Sequence, residues 1–122
     1  MTKASFKGKD LTLILNNYRL YRIAEDLGVK TPAEAIESIN EVLTRGEGEV
    51  ISTSGMKGFV TIFRNMAEEG AERTKKPLPQ FTESEWFDIL SDEASQAVVE
   101  EFFEFLPPLE TQQPKKKTKA KG

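Results

Sequence analysis

Residues 53–70 are TSGMKGFVTIFRNMAEEG, and their apolar side chains recur every three or four positions. This spacing predicts an α-helix that begins at about Thr53 or Ser54 and buries one face. The apolar positions of that face are Met56, Phe59, Val60, Phe63, Met66 and Ala67. Gly55 and Gly58 each weaken a helix by roughly 1 kcal/mol relative to alanine. Gly70 is predicted to end the helix.

Two further helices are predicted toward the C-terminus, after a basic, proline-containing connector at residues 73–80. Thr82-Glu83-Ser84-Glu85 matches a capping box, in which the threonine and the second glutamate satisfy each other's backbone N–H groups. It opens a short helix that carries Trp86, Phe87 and Leu90. Ser91 or Asp92 is predicted to cap a last helix that reaches about Leu106, where two prolines follow and stop it.

Two helices are also predicted upstream, before a loop at residues 46–49. The nearer helix opens at Thr31-Pro32-Ala33-Glu34, which offers a capping threonine, a proline at the first helical position and a glutamate three residues after the cap. The preceding helix runs from a cap at Asn16 or Asn17 to about Leu27, followed by Gly28 as its end. The apolar faces are Ala35, Ile36, Ile39, Val42 and Leu43 in the nearer helix, and Leu20, Ala24 and Leu27 with Tyr21 and Ile23 alongside in the other.

A β-hairpin is predicted at about residues 4–15. Leu11, Leu13 and Leu15 alternate with the period of two that a strand requires. Residues 4–7 are expected to pair with them through a turn at Gly8-Lys9-Asp10. An isolated two-stranded ribbon is marginal in water, so this one must pack on helices or on another subunit. The predicted fold class is therefore mainly α, a small bundle of about five helices with a short N-terminal β-hairpin and a disordered C-terminal tail.

The chain of 122 residues fits one helical domain at residues 1–108, followed by a flexible, lysine-rich tail at residues 109–122. From Pro114 onward the tail contains five lysines and no acid. Without those lysines, 17 − 5 = 12 bases face 20 acids, so residues 1–113 carry a net charge of −8. An acidic body repels nucleic acid, which disfavours nucleic acid as its partner.

Composition excludes most catalytic designs. The chain has no cysteine and no histidine, so it lacks a thiolate, the usual general base near neutral pH and the commonest metal ligand. Neighbouring acids such as Glu100-Glu101 diverge by about 100° on a helix instead of converging on a site. No apolar run approaches the roughly 20 residues of a membrane span, and no signal peptide is apparent. We therefore expect a cytoplasmic, non-enzymatic protein with no cofactor and no metal.

The last predicted helix carries apolar side chains around more of its circumference than one buried face of about 100° accounts for. One stripe is Val98, Phe102 and Phe105, and its neighbour is Val99, Phe103 and Leu106. Either the helix is sandwiched inside the bundle, or one stripe packs inward and the other is a docking surface. These six residues are the candidate partner-binding site.

The order of elements resembles that of the tail assembly chaperones of long-tailed bacteriophages, over about residues 5–106. Four segments carry the resemblance. They are FKGKDLTLILNNYRLYRIAEDLG (6–28), TPAEAIESINEVL (31–43), MKGFVTIFRNMAEEG (56–70) and FTESEWFDILSD (81–92). A final helix and a charged tail follow them, as in that family.

The resemblance implies a non-catalytic protein that acts in the host bacterial cytoplasm and is missing from the mature virion. Such proteins bind the tape measure protein, keep its hydrophobic helices soluble, help recruit tail tube protein around it and commonly form homo-oligomers. The family has no fixed catalytic residues, so none is carried over. Two alternatives remain open, namely a structural or adaptor protein retained in a phage tail, and a small nucleic-acid-binding regulator that uses the basic tail.

Overall fold

A computed structural model describes residues 1–45 and 50–105, and within them the chain forms two β-strands and five α-helices. The strands are Thr2–Phe6 (β1) and Lys9–Leu13 (β2), and the helices are Asn17–Leu27 (α1), Ile36–Thr44 (α2), Thr53–Thr74 (α3), Glu83–Phe87 (α4) and Ser95–Phe105 (α5). This arrangement confirms the predicted mainly α fold with an N-terminal hairpin. The predicted loop at residues 46–49 and the predicted tail lie outside the described residues.

Helix α3 lies at the centre of the fold, where the hairpin and the other four helices pack against it. Its predicted apolar face is confirmed, since Phe59, Val60, Phe63, Met66 and Ala67 are buried and Met56 is half-buried. Ile62 is buried as well, because neighbouring elements cover α3 on more than one side. The helix starts at a cap on Ser52, whose side-chain oxygen accepts a hydrogen bond from the N–H of Gly55.

Gly70 does not end α3, as the sequence had suggested, but lies inside it. The helix continues to Thr74 and ends at Lys75, which takes the left-handed conformation with φ 58°. A Cβ atom on residue 70 would collide with the backbone carbonyl of Thr12 in β2. Gly70 therefore allows the strand to approach the helix closely. A hydrogen bond of 3.1 Å from the N–H of Ile14 to the carbonyl of Met66 holds the chain there.

The hairpin turns at Lys7-Gly8, so the predicted turn at residues 8–10 was wrong. Lys7 and Gly8 both have positive φ, 53° and 76°, as expected of the two-residue turns whose twist matches the strands. Glycine thus occupies the second turn position rather than the first. The Lys7 ammonium also forms an ion pair of 2.8 Å with Asp88, just beyond α4.

Aromatic side chains join the hairpin to α3 and α4. The ring of Phe6 meets those of Phe63 and Phe81 edge-on, at centroid distances of 5.3 and 5.2 Å. Trp86 of α4 closes the group at 5.4 Å from Phe63 and 5.0 Å from Phe81. Such edge-to-face contacts stabilise a core beyond the effect of buried area alone. Phe81, which directly follows the connector, therefore packs against the core.

The predicted caps of α1 and α4 are confirmed. Asn16 accepts a hydrogen bond from the N–H of Arg19, and Gly28 ends α1 in the left-handed conformation with φ 69°. Thr82 and Glu85 form the predicted capping box of α4. These signals succeed because each depends on residues within one helical turn.

Two helix starts differ from the prediction. The capping box at residues 31–34 opens a short 3-10 turn, Pro32–Ala35, which precedes α2. Helix α5 begins later than predicted, because Asp88–Ser91 forms a second 3-10 turn after α4. The carboxylate of Asp92 then accepts a hydrogen bond from the N–H of Ala94, which delays the start of α5 to Ser95.

A buried ion-pair network fastens α1 to α3. Arg19 and Glu69 expose only 5% and 3% of their surfaces, and the Nε of Arg19 donates to Oε1 of Glu69 at 2.8 Å. Asn16 and Arg73 donate to the second oxygen of Glu69, at 2.8 and 2.6 Å. Glu68 also pairs with Arg19, at 3.0 Å. The guanidinium is thus paired rather than isolated, as a buried charge requires.

Because Arg19 is buried in this network, the buried face of α1 differs from the predicted one. Ile23 and Ala24 are buried together with Arg19, whereas Leu20 and Leu27 are only half-buried. An arginine in a polar helix is usually solvated, so the sequence pattern gave no reason to expect it on the inner face.

The network also sets the acid–base behaviour of Glu69. Burial by itself raises the pKa of this carboxyl group, but hydrogen bonds from Arg19, Arg73 and Asn16 outweigh burial and hold the pKa below its ordinary value of 4.5. A folded-state pKa below the unfolded one means that the ionised group stabilises the fold above the unfolded pKa. That contribution is lost as the pH falls through the folded pKa.

We expect Gly70→Ala to destabilise the protein by about 1–3 kcal/mol, because the new methyl group is forced against the Thr12 backbone. An ordinary glycine-to-alanine change inside a helix has the opposite sign, stabilising by about 1 kcal/mol. Gly55→Ala is the matched control, since the atoms nearest to its methyl group belong to the end of the Glu41 side chain rather than to backbone, and it should stay within about 1 kcal/mol of wild type. Urea unfolding measures both, and a stabilised Gly70→Ala would contradict the close contact.

We expect Glu69→Gln to lower the free energy of unfolding near neutral pH by about 3–5 kcal/mol, because Arg19 is left buried without its main partner. The variant should also lose less stability than wild type as the pH falls from about 5 to 3. Glu72→Gln is the control, because Glu72 is exposed and pairs with Arg19 only at 3.4 Å, so its effect should stay below about 1 kcal/mol. Equal effects at positions 69 and 72, measured by urea unfolding across this pH range, would refute the assignment.

Candidate protein-binding surface

The inner stripe of the last helix belongs to the core. Val98 and Phe102 have no exposed surface, and Glu101 between them exposes only 2%. Helix α5 packs this face against β1, β2 and α3. Val98 and Phe102 therefore cannot contact a partner, and the six-residue docking hypothesis is corrected by removing them.

The remaining stripe residues lie at the margin of the core. Val99, Phe103 and Phe105 are half-buried, and Leu106 lies outside the described residues. Val99 and Phe103 are four positions apart, so they share one face of α5. Phe103 is braced by an edge-on contact with Phe102, at a centroid distance of 5.7 Å. These side chains are therefore partly exposed to solvent while they still pack against the core.

A groove between α2 and α5 places Val99 beside apolar residues of another helix. Its volume is about 450 Å³, and it is lined by Val42, Leu43, Arg45, Ser95, Gln96, Val99 and Glu100. Leu43 is 51% exposed, although the sequence pattern assigned it to the packed face of α2. The guanidinium of Arg45 donates to the carbonyl of Leu90 and thereby fixes the end of α2 near the start of α5. We call this feature the α2–α5 groove.

The contribution of α2 to this groove is the feature of the candidate site that the sequence did not reveal. Leu43 follows Val42 directly, so the two side chains differ by about 100° around the helix. Ile39 is the fully buried residue of the packed face, Val42 at its margin is half-buried, and Leu43 is exposed. The position of Leu43 at the edge of the apolar stripe was the signal in the sequence that could have indicated its exposure.

Other apolar side chains are exposed elsewhere. Tyr18 and Tyr21 on α1 are each 55% exposed, with ring centroids 6.3 Å apart. Phe87 is 39% exposed beside a second groove of about 410 Å³ that Met56 and Val60 of α3 also line. These patches are separate from the stripe of α5.

The buried carboxylates have structural partners. Glu101 accepts hydrogen bonds from the N–H of Leu15 and the hydroxyl of Thr2, both at 2.9 Å, and forms an ion pair of 2.9 Å with the ammonium group of Met1. Within residues 1–45 and 50–105, acidic side chains form no group of three or more suited to hold a metal ion. No helix in the same part of the chain is long and apolar enough to cross a bilayer.

Adjacent valines of α5 test this division between core and surface. We expect Val98→Ala to destabilise by about 2–3 kcal/mol, because Val98 is fully buried, whereas Val99→Ala should cost less than about 1 kcal/mol. The two substitutions remove the same atoms, so each is the control for the other. Urea unfolding at one pH measures both, and equal losses would place Val99 in the core.

No protein-family model, curated protein or solved structure matches this chain.

Proposed function

We propose that this protein is a non-enzymatic tail assembly chaperone, which binds and solubilises the phage tape measure protein and helps recruit tail tube subunits to it. Within this proposal it acts in the cytoplasm of the host bacterium and is left out of the mature virion. The sequence resemblance supplies the identity of the client. The single observation that carries a binding role is the α2–α5 groove, in which Leu43 and Val99 are available to a partner.

The chemistry of the groove suits an apolar helix. Amphipathic helices bind by laying apolar side chains, three or four residues apart, into a hydrophobic groove. Val42, Leu43 and Val99 offer apolar contact, and Arg45 and Glu100 offer polar groups that can orient the bound segment. Phe103 extends the apolar face of α5 by one turn.

The net charge explains how such a protein would keep an apolar client in solution. Residues 1–113 carry a net charge of −8, and a net charge far from zero opposes aggregation. A complex in which the client covers the α2–α5 groove and the acidic surface stays exposed would keep this negative charge, and such complexes would repel one another. The proposal therefore needs both the groove and the charge.

The decisive experiment is co-expression with the tape measure protein of the same phage, followed by measurement of the soluble client. We expect Leu43→Asp and Val99→Asp to reduce the soluble client toward its level without the chaperone, because a carboxylate in the groove opposes apolar contact. Tyr21→Asp is the matched control, since Tyr21 is exposed and apolar but lies outside the groove. Thermal unfolding of the purified variants checks that each is folded.

Full client solubilisation by folded Leu43→Asp and Val99→Asp variants would refute the groove as the binding site. If wild-type protein fails to solubilise the client, the chaperone function itself is refuted. Mass spectrometry of purified virions separates a chaperone from a tail component, because a chaperone should be missing from the particle.

A further inference from the structure

Strand β1 has one edge that pairs with β2 and one that does not. The two-residue turn makes Phe6 and Lys9 a hydrogen-bonded pair, so Ala4 and Thr2 also direct their backbone groups toward β2. The N–H and carbonyl groups of Lys3 and Ser5 consequently point to the opposite side. By the same alternation on β2, the backbone groups of Thr12 and Ile14 point toward α3. The hydrogen bond from the N–H of Ile14 to the carbonyl of Met66 agrees with this.

The two edges of the hairpin differ in their protection. The β2 edge is covered by α3, whose Gly70 allows the strand backbone to approach closely. On the β1 edge, Lys3 and Ser5 are exposed, and their backbone groups have no hydrogen-bond partner among the described residues. A free edge of this kind is a template for pairing with another strand.

We infer that β1 pairs antiparallel with β1 of a second copy of this chain, across a two-fold axis at Ala4, to form a four-stranded sheet. In this register Lys3 of each copy faces Ser5 of the other, and both are the residues with outward-pointing backbone groups. The pairing therefore makes two hydrogen-bonded residue pairs, each with two backbone hydrogen bonds. The inference does not rest on the proposed chaperone function.

Side-chain charge favours this register, and it favours a second copy of the chain as the partner of the β1 edge. On the exposed face of the sheet, Lys3 of one copy would lie beside the small Ser5 of the other, with Asp10 next in line on β2. Adjacent strands are about 4.8 Å apart, so a lysine side chain can cross Ser5 to reach Asp10. This arrangement occurs twice by symmetry, and Asp10 has no ion-pair partner within the described part of the chain.

The neighbouring registers are opposed by like charges. Moving the axis to Lys3 would set the two copies of Lys3 opposite each other, and moving it to Ser5 would bring Lys3 beside Lys7 of the turn. Like charges directly across strands are destabilising. A groove of about 400 Å³ lies beside these residues, and its lining includes Lys3, Asp10 and Lys76 of the connector. Asp10 is the one carboxylate in that lining, so it is the group that an incoming lysine would pair with.

Sedimentation equilibrium of the full chain, from about 10 µM to about 1 mM, tests the inference. We expect wild type to dimerise in this range, because an edge-strand interface is smaller than the roughly 1,200–2,000 Å² of standard complexes. Lys3→Glu and Asp10→Lys should each raise the dimer Kd about tenfold, since each replaces two attractive contacts by repulsive ones. The double variant K3E/D10K should return the Kd to within about threefold of wild type, because it restores opposite charges.

Ser5→Pro tests the backbone pairing separately. Proline removes the outward N–H of Ser5, which the hairpin does not use, and proline is tolerated on an edge strand. We expect Ser5→Pro to raise the dimer Kd more than about tenfold while the far-UV circular dichroism stays that of wild type. Lys30→Glu is the control for charge, because Lys30 is exposed and lies outside the hairpin.

A wild-type protein that stays monomeric up to about 1 mM would overturn the inference. So would a dimer whose Kd is unchanged by Lys3→Glu and Asp10→Lys, or in which K3E/D10K binds no better than the single variants. If Ser5→Pro unfolds the hairpin, the charge-reversal set decides alone. Client solubilisation by a monomer would leave the chaperone proposal standing without the dimer, so the two can fail independently.

Discussion

The contact between the β2 backbone and α3 at Gly70 is the constraint on which the rest of the structure depends. A two-stranded ribbon has too little apolar surface to be stable alone, and here it gains stability by lying directly on the central helix. The absence of a side chain at Gly70 brings strand and helix to backbone contact. The ribbon thereby places Phe6 against Phe63, and through these rings it also organises Phe81 and Trp86.

Buried charges complete the assembly that apolar packing begins. Arg19 and Glu69 join α1 to α3, and Glu101 joins α5 to the hairpin and to the backbone just after it. Each buried carboxylate has several donors, so burial does not leave an isolated charge. Directional contacts of this kind favour one arrangement of helices over others that would bury a similar apolar area. They also leave these carboxylates engaged in structural roles.

The surfaces left after this packing have different characters. The α2–α5 groove is mixed apolar and polar and lies between two helices, which suits a helical partner. The β1 edge offers backbone groups and the charged side chain of Lys3, which suits a strand. Because the two surfaces would recognise different secondary structures, the proposed client and a second copy of the chain would bind through separate contacts. The chaperone proposal depends on the groove and the acidic surface, and it does not depend on the β1 edge.

The sequence by itself determined the elements of this fold, because caps and helical periodicity depend on neighbours within about four residues. Asn16, Gly28 and Thr82 mark helix ends for that reason, and the apolar face of α3 followed from its spacing. Only the tertiary structure decided whether Gly70 ended a helix or admitted a strand, and whether Arg19 was solvated or buried. It also decided which stripe of α5 was core and that Leu43 faced solvent. These outcomes depend on which distant segments lie alongside, and that information is absent from any local pattern.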